Sequence, residues 1–513
     1  MKKNIFLSIV LASAALIAVS CSDEYLDTAP ESSTSPATIF ETTENAELAI
    51  NGLSRMMTVQ YLSSQGFNGE GTIKTWYGNY PGNDFQKCNL TGWSSIINSE
   101  YHERPTSVYD YYPWYYYYKL IGNANQVLAN IDDAEGADSD KAFLKAQALV
   151  FRAYSFFMIS QLYCHRWSDS KGSDPGIVLR IDTSTGDQAL STLAETYAQI
   201  YADLDEAISL FNSTSRDRNY FYEANIDVAY AVYARAAITR QDWSNAAKYA
   251  QLARKDYKIM SDSEYHQGFN EPNDEWIWGV YESSDQTIYY YSFFAYQGAN
   301  SSASICRSYP TAISKELIDQ IPATDSRRDL YLVPTAAEVS ESKFTKTTGR
   351  STGTLYKRAF ATYGDKLYST SYVFQYMQFK LLASFMPGGG SFSLFRAAEM
   401  YYIEAEAQCQ LGNDGAAQSI LNEIVPKYDS AYKCSLTGSA LLEEVKLYRK
   451  FDLWGEGFDW FDYKRWGESI SRKSIADGGS FHSSFAVTIG PSEKNQWTWA
   501  IPNKETDYNT LID

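Results

Sequence analysis

The chain has 513 residues and a formal net charge of −18. Nucleic acids and anionic membrane surfaces both demand a positive face, so this balance argues against either as a partner. Aromatic residues make up 15% of the chain, with 42 Tyr, 25 Phe and 12 Trp, and a tyrosine excess suits surfaces that are part apolar and part wet.

The N-terminus reads as an export signal. Lys2 and Lys3 precede an apolar run from Ile5 to Val19, and the small residues Ala18 and Ser20 sit just before Cys21. A charged start, a short apolar core and a small-residue exit describe a signal peptide, and the run is shorter than the ~18–20 residues of a spanning helix. A cysteine at the exit is where bacterial lipoproteins take their acyl chains, and two or three chains anchor firmly where one holds only marginally. The expectation is a signal over 1–20 and a lipid anchor on Cys21. A Ser-, Thr- and Pro-rich tether over 21–40 follows, then one folded domain over 41–513.

Within that domain apolar spacings of three and four predict helices over about 42–57, 114–131 and 141–163. The box Thr192-Leu193-Ala194-Glu195 opens another, about 193–211. Two helix pairs follow, about 226–254 and 394–425, with alanines where the helices would touch. Small residues at such contacts are the mark of tetratricopeptide-like stacking. A last helix is predicted over about 440–454. Long irregular stretches, about 58–113 and 256–390, interrupt the helices, and insertions of that length in a compact protein usually carry function. The alternation Trp276-Ile277-Trp278-Gly279-Val280-Tyr281 predicts a little strand in the second. The fold class expected is therefore mainly α: tetratricopeptide-like pairs against an irregular half with little β.

Five cysteines remain beyond Cys21, widely spaced and with no CxxC, so no zinc or redox site is expected. There is no GxSxG elbow, no HExxH and no phosphate-binding loop, and the four His are dispersed. No cofactor or metal is expected. A glycoside hydrolase would need two carboxylates flanking one cleft, and nothing marks such a pair, so a non-enzyme is the reading. Glu399, Glu404, Glu406, Arg396, Arg449 and Arg465 sit in helix-packing segments and read as structural ion pairs.

Several segments, in this order, carry a family resemblance. They are Cys21-Ser22-Asp23-Glu24-Tyr25-Leu26-Asp27 with Pro30; Trp114, Tyr118, Ile121, Asn123, Asn125 and Leu128; Ala146, Phe151-Arg152-Ala153-Tyr154, Phe157 and Leu162-Tyr163. Then come Arg396-Ala397-Ala398-Glu399-Met400-Tyr401 with Glu404-Ala405-Glu406-Ala407; Arg449, Asp452-Leu453, Gly455-Glu456-Gly457, Phe461-Asp462 and Arg465-Trp466; and Trp499-Ala500-Ile501-Pro502. Together they resemble the SusD-like (RagB-like) outer-membrane nutrient-binding lipoproteins of Bacteroidetes. Two departures stand out: Cys164-His165-Arg166-Trp167 after the second motif helix, and an acid at Asp459. The resemblance implies a cell-surface lipoprotein on the exterior of the outer membrane. It would capture an oligosaccharide and pass it to a SusC-like TonB-dependent transporter. Peptide or glycoprotein cargo is the alternative.

Sugars are recognised by aromatic rings against the pyranose face and by polar groups on the hydroxyls, each stack contributing on the order of 1 kcal/mol. The irregular stretches supply Trp76, Asp84 and Trp93 in the first, and Tyr290, Tyr291, Tyr296 and Arg307 in the second. These are the candidate ligand-binding residues, the aromatics as stacking faces and Asp84 as a polar contact.

Overall fold

Residues 36–90, 92–284 and 290–512 are described by the computed structural model. The signal, Cys21 and most of the tether lie outside the described residues, although Pro36–Ile39, at its expected end, forms a short helical turn.

The helices start where the sequence supplies caps. Thr42 accepts from the Asn45 amide at the head of α1 (Thr43–Met56). Ser107 accepts from the Tyr109 amide at α2 (Val108–Asn130), and α3 spans Asp138–Tyr163. Both arms of the Thr192–Glu195 box are formed at α4 (Leu193–Ser213). α5 (Ile226–Thr239) and α6 (Trp243–Arg254) make the first pair. α7 (Ala397–Gln410) and α8 (Asp414–Ile424) make the second, followed by α9 (Gly438–Leu453). Each helix packs on the next: α2 on α3, α3 on α4, α4 on α5, α5 on α6, α7 on α8. α6 packs directly on α7 across the long second insertion, so the stack is continuous in space although broken in sequence. α3 runs through its middle and is apolar enough in composition to span a membrane. Its side chains are buried among other helices from Phe143 to Tyr163 almost without break, which makes it core.

Three places differ from the sequence reading. α2 begins earlier than predicted, at Val108, and carries Pro113 inside it. Proline removes an amide and so frees a carbonyl one turn back; here the Tyr109 carbonyl takes the Tyr77 hydroxyl at 2.6 Å. The Tyr163 hydroxyl, which accepts from the Trp114 amide at 3.1 Å, donates to the Asp110 carbonyl. Two tyrosines thus repair the break. The helix expected from 394 instead begins as a strand, Phe392–Arg396, and turns helical at Ala397. Asp459–Trp466, read only as a motif, forms a further helix, α10.

The two insertions fold onto each other. β1 (Phe85–Lys87) from the first pairs antiparallel with β3 (Thr311–Ile313) from the second, Phe85 opposite Ile313. β2 (Trp276–Val280) pairs with β4 (Phe392–Arg396) and ties the irregular half to the head of α7.

At that junction Arg396 is 1% exposed and fully engaged. Its guanidinium reaches Glu275 at 2.7 Å, Asp452 at 2.7 Å and Glu456 at 2.8 Å. Burial alone would raise the Glu456 carboxyl, but Arg396 and Lys380 outweigh it and hold it down at about 2. The other flagged residues form Arg235–Glu399, Arg254–Glu404, Arg465–Glu406 and Arg449–Asp462 pairs. Among the described residues the cysteines are free thiols.

Candidate functional site

A wide turn starts the site. Gly69–Thr72 is helical and continues as a π-helix over Ile73–Asn79, closed by the Tyr80 amide on the Thr75 carbonyl at 3.0 Å. Such widened turns frequently occur at functional sites. This one is fixed by an amide chain: Asn79 donates to Gln297 at 2.9 Å and to the Gly455 carbonyl at 2.8 Å, and Gln297 donates to Thr75 at 3.1 Å. Gly78 lies so close to Gly457 that a Cβ there would sit 2.1 Å from the Gly457 carbonyl oxygen.

The turn throws Trp76 to one side. Its ring centroid lies 5.4 Å from Phe67, 6.1 Å from Trp93, 5.6 Å from Tyr109 and 5.7 Å from Tyr296. Trp93 lies 5.8 Å from Tyr296, and Tyr291 lies 5.9 Å from Tyr296. Tyr101 stacks on Tyr109 at 4.8 Å. Residues far apart in sequence therefore meet in one aromatic cluster. Gly66 closes it from above at φ +96°, where a Cβ would sit 2.6 Å from the Trp76 ring.

Exposure divides the cluster. Trp76 and Tyr296 are 2% and 1% exposed and form its floor, which corrects their reading as stacking faces. Trp93, Tyr291, Tyr101 and Tyr109 are half-buried, and Tyr290 is exposed beside Tyr291. These are the rings of the set that reach the surface. The Trp76 Nε1 and the Tyr296 hydroxyl have no hydrogen-bond partner among the described residues. Buried polar atoms are otherwise nearly always paired. Burial, then the neighbouring Tyr80, raises the Tyr296 hydroxyl well above its ordinary range, so it stays a neutral donor. Its backbone carbonyl takes the buried Lys87 ammonium at 2.9 Å, and burial lowers that lysine to about 8.

Arg307 lies on a short helix, Ser304–Ser308, beside the one that carries Tyr296. It donates to the Ser302 carbonyl and to Thr370, over the Tyr368 ring, and among the described residues it makes no hydrogen bond, ion pair or ring contact with the cluster. Asp84 is a further correction. It is 4% exposed and faces α10, taking hydrogen bonds from Tyr463 at 2.9 Å and Ser314 at 3.0 Å. Asp459, the acid that departs from the family pattern, takes the Asp84 and Phe85 amides at 2.7 and 2.8 Å. Burial and then the Asp84 charge push Asp459 up to about 8. Asp84 is thus spent on holding β1 to α10.

Sequence reasoning missed Phe67, Tyr101 and Tyr109 as cluster members, because nothing local joins them to Trp76. Open clefts lie elsewhere: one of ≈ 520 Å³ beside Tyr118, Asn123, Arg180 and Thr185, and one of ≈ 620 Å³ beside Asn51, Arg55, Tyr222 and Tyr281. The run Tyr220-Phe221-Tyr222 between two helices was the available signal for the second.

Comparison with known proteins covers the folded chain in two parts. The sequence profile of the SusD family matches residues 238–511, and one described as starch-binding and associating with the outer membrane matches residues 24–238. A SusD-like protein P2 of Formosa agariphila is 23% identical, with 91% of each chain covered. A SusD-like carbohydrate binding protein from Bacteroides vulgatus superposes with a TM-score of 0.75 at 22% identity, over 92% of this chain and 98% of that one. A SusD superfamily protein from Bacteroides thetaiotaomicron gives 0.72 at 21%, over 92% and 99%.

Proposed function

This chain belongs to the SusD family, and on that premise we propose that it captures oligosaccharides at the outer membrane without cleaving them. The observation that carries the reading is the convergence of Trp93 and Tyr291 at the surface over the Trp76–Tyr296 floor. Half-open rings offer π-faces to the apolar side of a pyranose, and the packed floor keeps them in place, so little ordering cost falls on binding. A few such contacts suit the modest affinity of a protein that must release its cargo. The description of a relative profile as starch-binding supports a carbohydrate cargo. The acids most tempting as catalysts, Glu399, Glu404 and Glu406, are occupied by Arg235, Arg254 and Arg465, which supports binding rather than hydrolysis. In this reading Cys21 carries the lipid, the tether sets the domain on the exterior face, and a SusC-like TonB-dependent transporter receives the sugar.

The test is calorimetric titration of the mature chain with a panel of oligosaccharides and peptides, followed by chromatography of the mixtures. Saturable oligosaccharide binding with intact sugar recovered, weakened in Trp93→Ala and Tyr291→Ala, is the expected result. Peptide binding alone, or shortened sugar, would overturn the reading.

A further inference from the structure

We propose that the cleft between α1, the turn joining α4 to α5, and the end of β2 is a second glycan site, one that takes a uronic acid residue. The proposal goes beyond the capture patch, though it rests on the same glycan-binding reading. The cleft holds ≈ 620 Å³ and is lined by Asn51, Ser54, Arg55, Tyr222, Tyr281 and Ser283. One wall is aromatic and open to water. Tyr220 stacks parallel on Tyr222, centroids 5.1 Å apart and planes within 6°, and Tyr281 lies 6.0 Å from Tyr222. Tyr220 and Tyr281 are 55% and 52% exposed.

This wall is rigid. The Tyr222 carbonyl accepts from Ser54 and from the Trp278 indole, each at 3.1 Å. The Phe221 carbonyl accepts from the Gly279 amide at 3.1 Å, and its ring meets Trp276 edge-on at 5.8 Å. Arg218 clamps the turn onto the Ile277 carbonyl and the Tyr257 hydroxyl. A ring arriving at this wall finds it already ordered, which removes much of the usual cost of binding.

The opposite wall is polar. Asn51 and Arg55 are four residues apart on α1 and so share a face. Among the described residues neither side chain makes a hydrogen bond or ion pair. Arg216, Arg235, Arg254, Arg396, Arg449 and Arg465 are all paired with carboxylates. Arg218, Arg307 and Arg328 lack an acid but are held by protein carbonyls, whereas, among the described residues, the Arg55 guanidinium is left free for an incoming anion. The guanidinium fork matches a carboxylate in two parallel hydrogen bonds. A hexuronate meets both walls at once, its apolar face on Tyr281, its hydroxyls at Asn51 and its C6 carboxylate at Arg55.

The test titrates tetragalacturonate and tetramannuronate, with their methyl esters, into the mature protein and into Arg55→Gln, Tyr281→Ala and Trp93→Ala, at low and high salt. At least one acid tetramer is expected to bind, with its ester weaker by about five-fold. Arg55→Gln should lose a similar factor along with the salt dependence, Tyr281→Ala should lose binding, and Trp93→Ala should retain it. Neither acid binding, acid and ester binding alike, or an unchanged Arg55→Gln each overturns the proposal. If neutral oligosaccharides still bind through Trp93 in that case, the capture reading survives; if no sugar binds at all, both fall.

Discussion

Trp76 and Trp93 touch, yet their truncation should separate cleanly into two different losses. Trp76 is 2% exposed and walled by Phe67, Tyr109, Trp93 and Tyr296. Trp76→Ala leaves a cavity that its aromatic neighbours cannot close, and changes of this kind cost about 3–5 kcal/mol. An unfolding entropy of about 2.1 cal/mol/K per residue, summed over a chain of this length, is on the order of 1 kcal/mol/K, so the midpoint should fall by about 3–5 °C. Trp93 is half-buried at the edge. Trp93→Ala forfeits about 0.5–1.5 kcal/mol of stacking, a loss of about two- to twelve-fold in affinity, with a far smaller change in midpoint. Scanning calorimetry reads the first and isothermal titration with the best oligosaccharide of the panel reads the second. A Trp76→Ala protein as stable as wild type, together with a Trp93→Ala protein of unchanged affinity, would refute the division into floor and face.

Asp110 offers a pH signature. Both its carboxyl oxygens lack partners among the described residues, and burial pushes the group up to about 9. The folded state therefore holds a proton that the unfolded chain has lost above about pH 4, so this group's contribution is full below that value and fades as pH rises toward 9. Asp110→Asn should gain stability over wild type as urea melts move from pH 5 to pH 8.5; parallel curves would contradict the assignment. Arg396→Met strips the partner from Glu275, Asp452 and Glu456 and should cost about 3–5 kcal/mol in denaturant melts. Adding Glu456→Gln should recover part of that loss, whereas fully additive losses would argue against a shared network. Gly66→Ala places a methyl 2.6 Å from the Trp76 ring at a backbone angle that favours glycine. It should lower the melting midpoint and alter near-ultraviolet circular dichroism, and a native spectrum would contradict the close approach.

The helical scaffold was legible because its signals are local. The Thr192–Glu195 box, the alanine pairs and the apolar stripe of α3 each act within a few turns of chain. The start of α2 is not legible from its apolar spacing, because its first turns run through Pro113 and are held by Tyr77 and Tyr163, which no local pattern reveals. The strand before α7 was hidden for a similar reason: Phe392–Arg396 is buried on both faces and reads like the apolar start of the helix that follows. At the site, the residue types were readable but their exposure was not. Trp76 and Trp93 look alike in sequence, and only the π-turn and Gly66 decide that one lies beneath the other. Asp84 looked like a loop acid; β1 pairing and the Asp459 amide contacts turn it inward.

The most direct measurement is a crystal structure of the mature chain soaked with the oligosaccharide that binds best. The account predicts an intact pyranose lying flat on Trp93 or Tyr291, above the Trp76–Tyr296 floor. Sugar seated only away from those rings, or a cleaved product in the density, would contradict it.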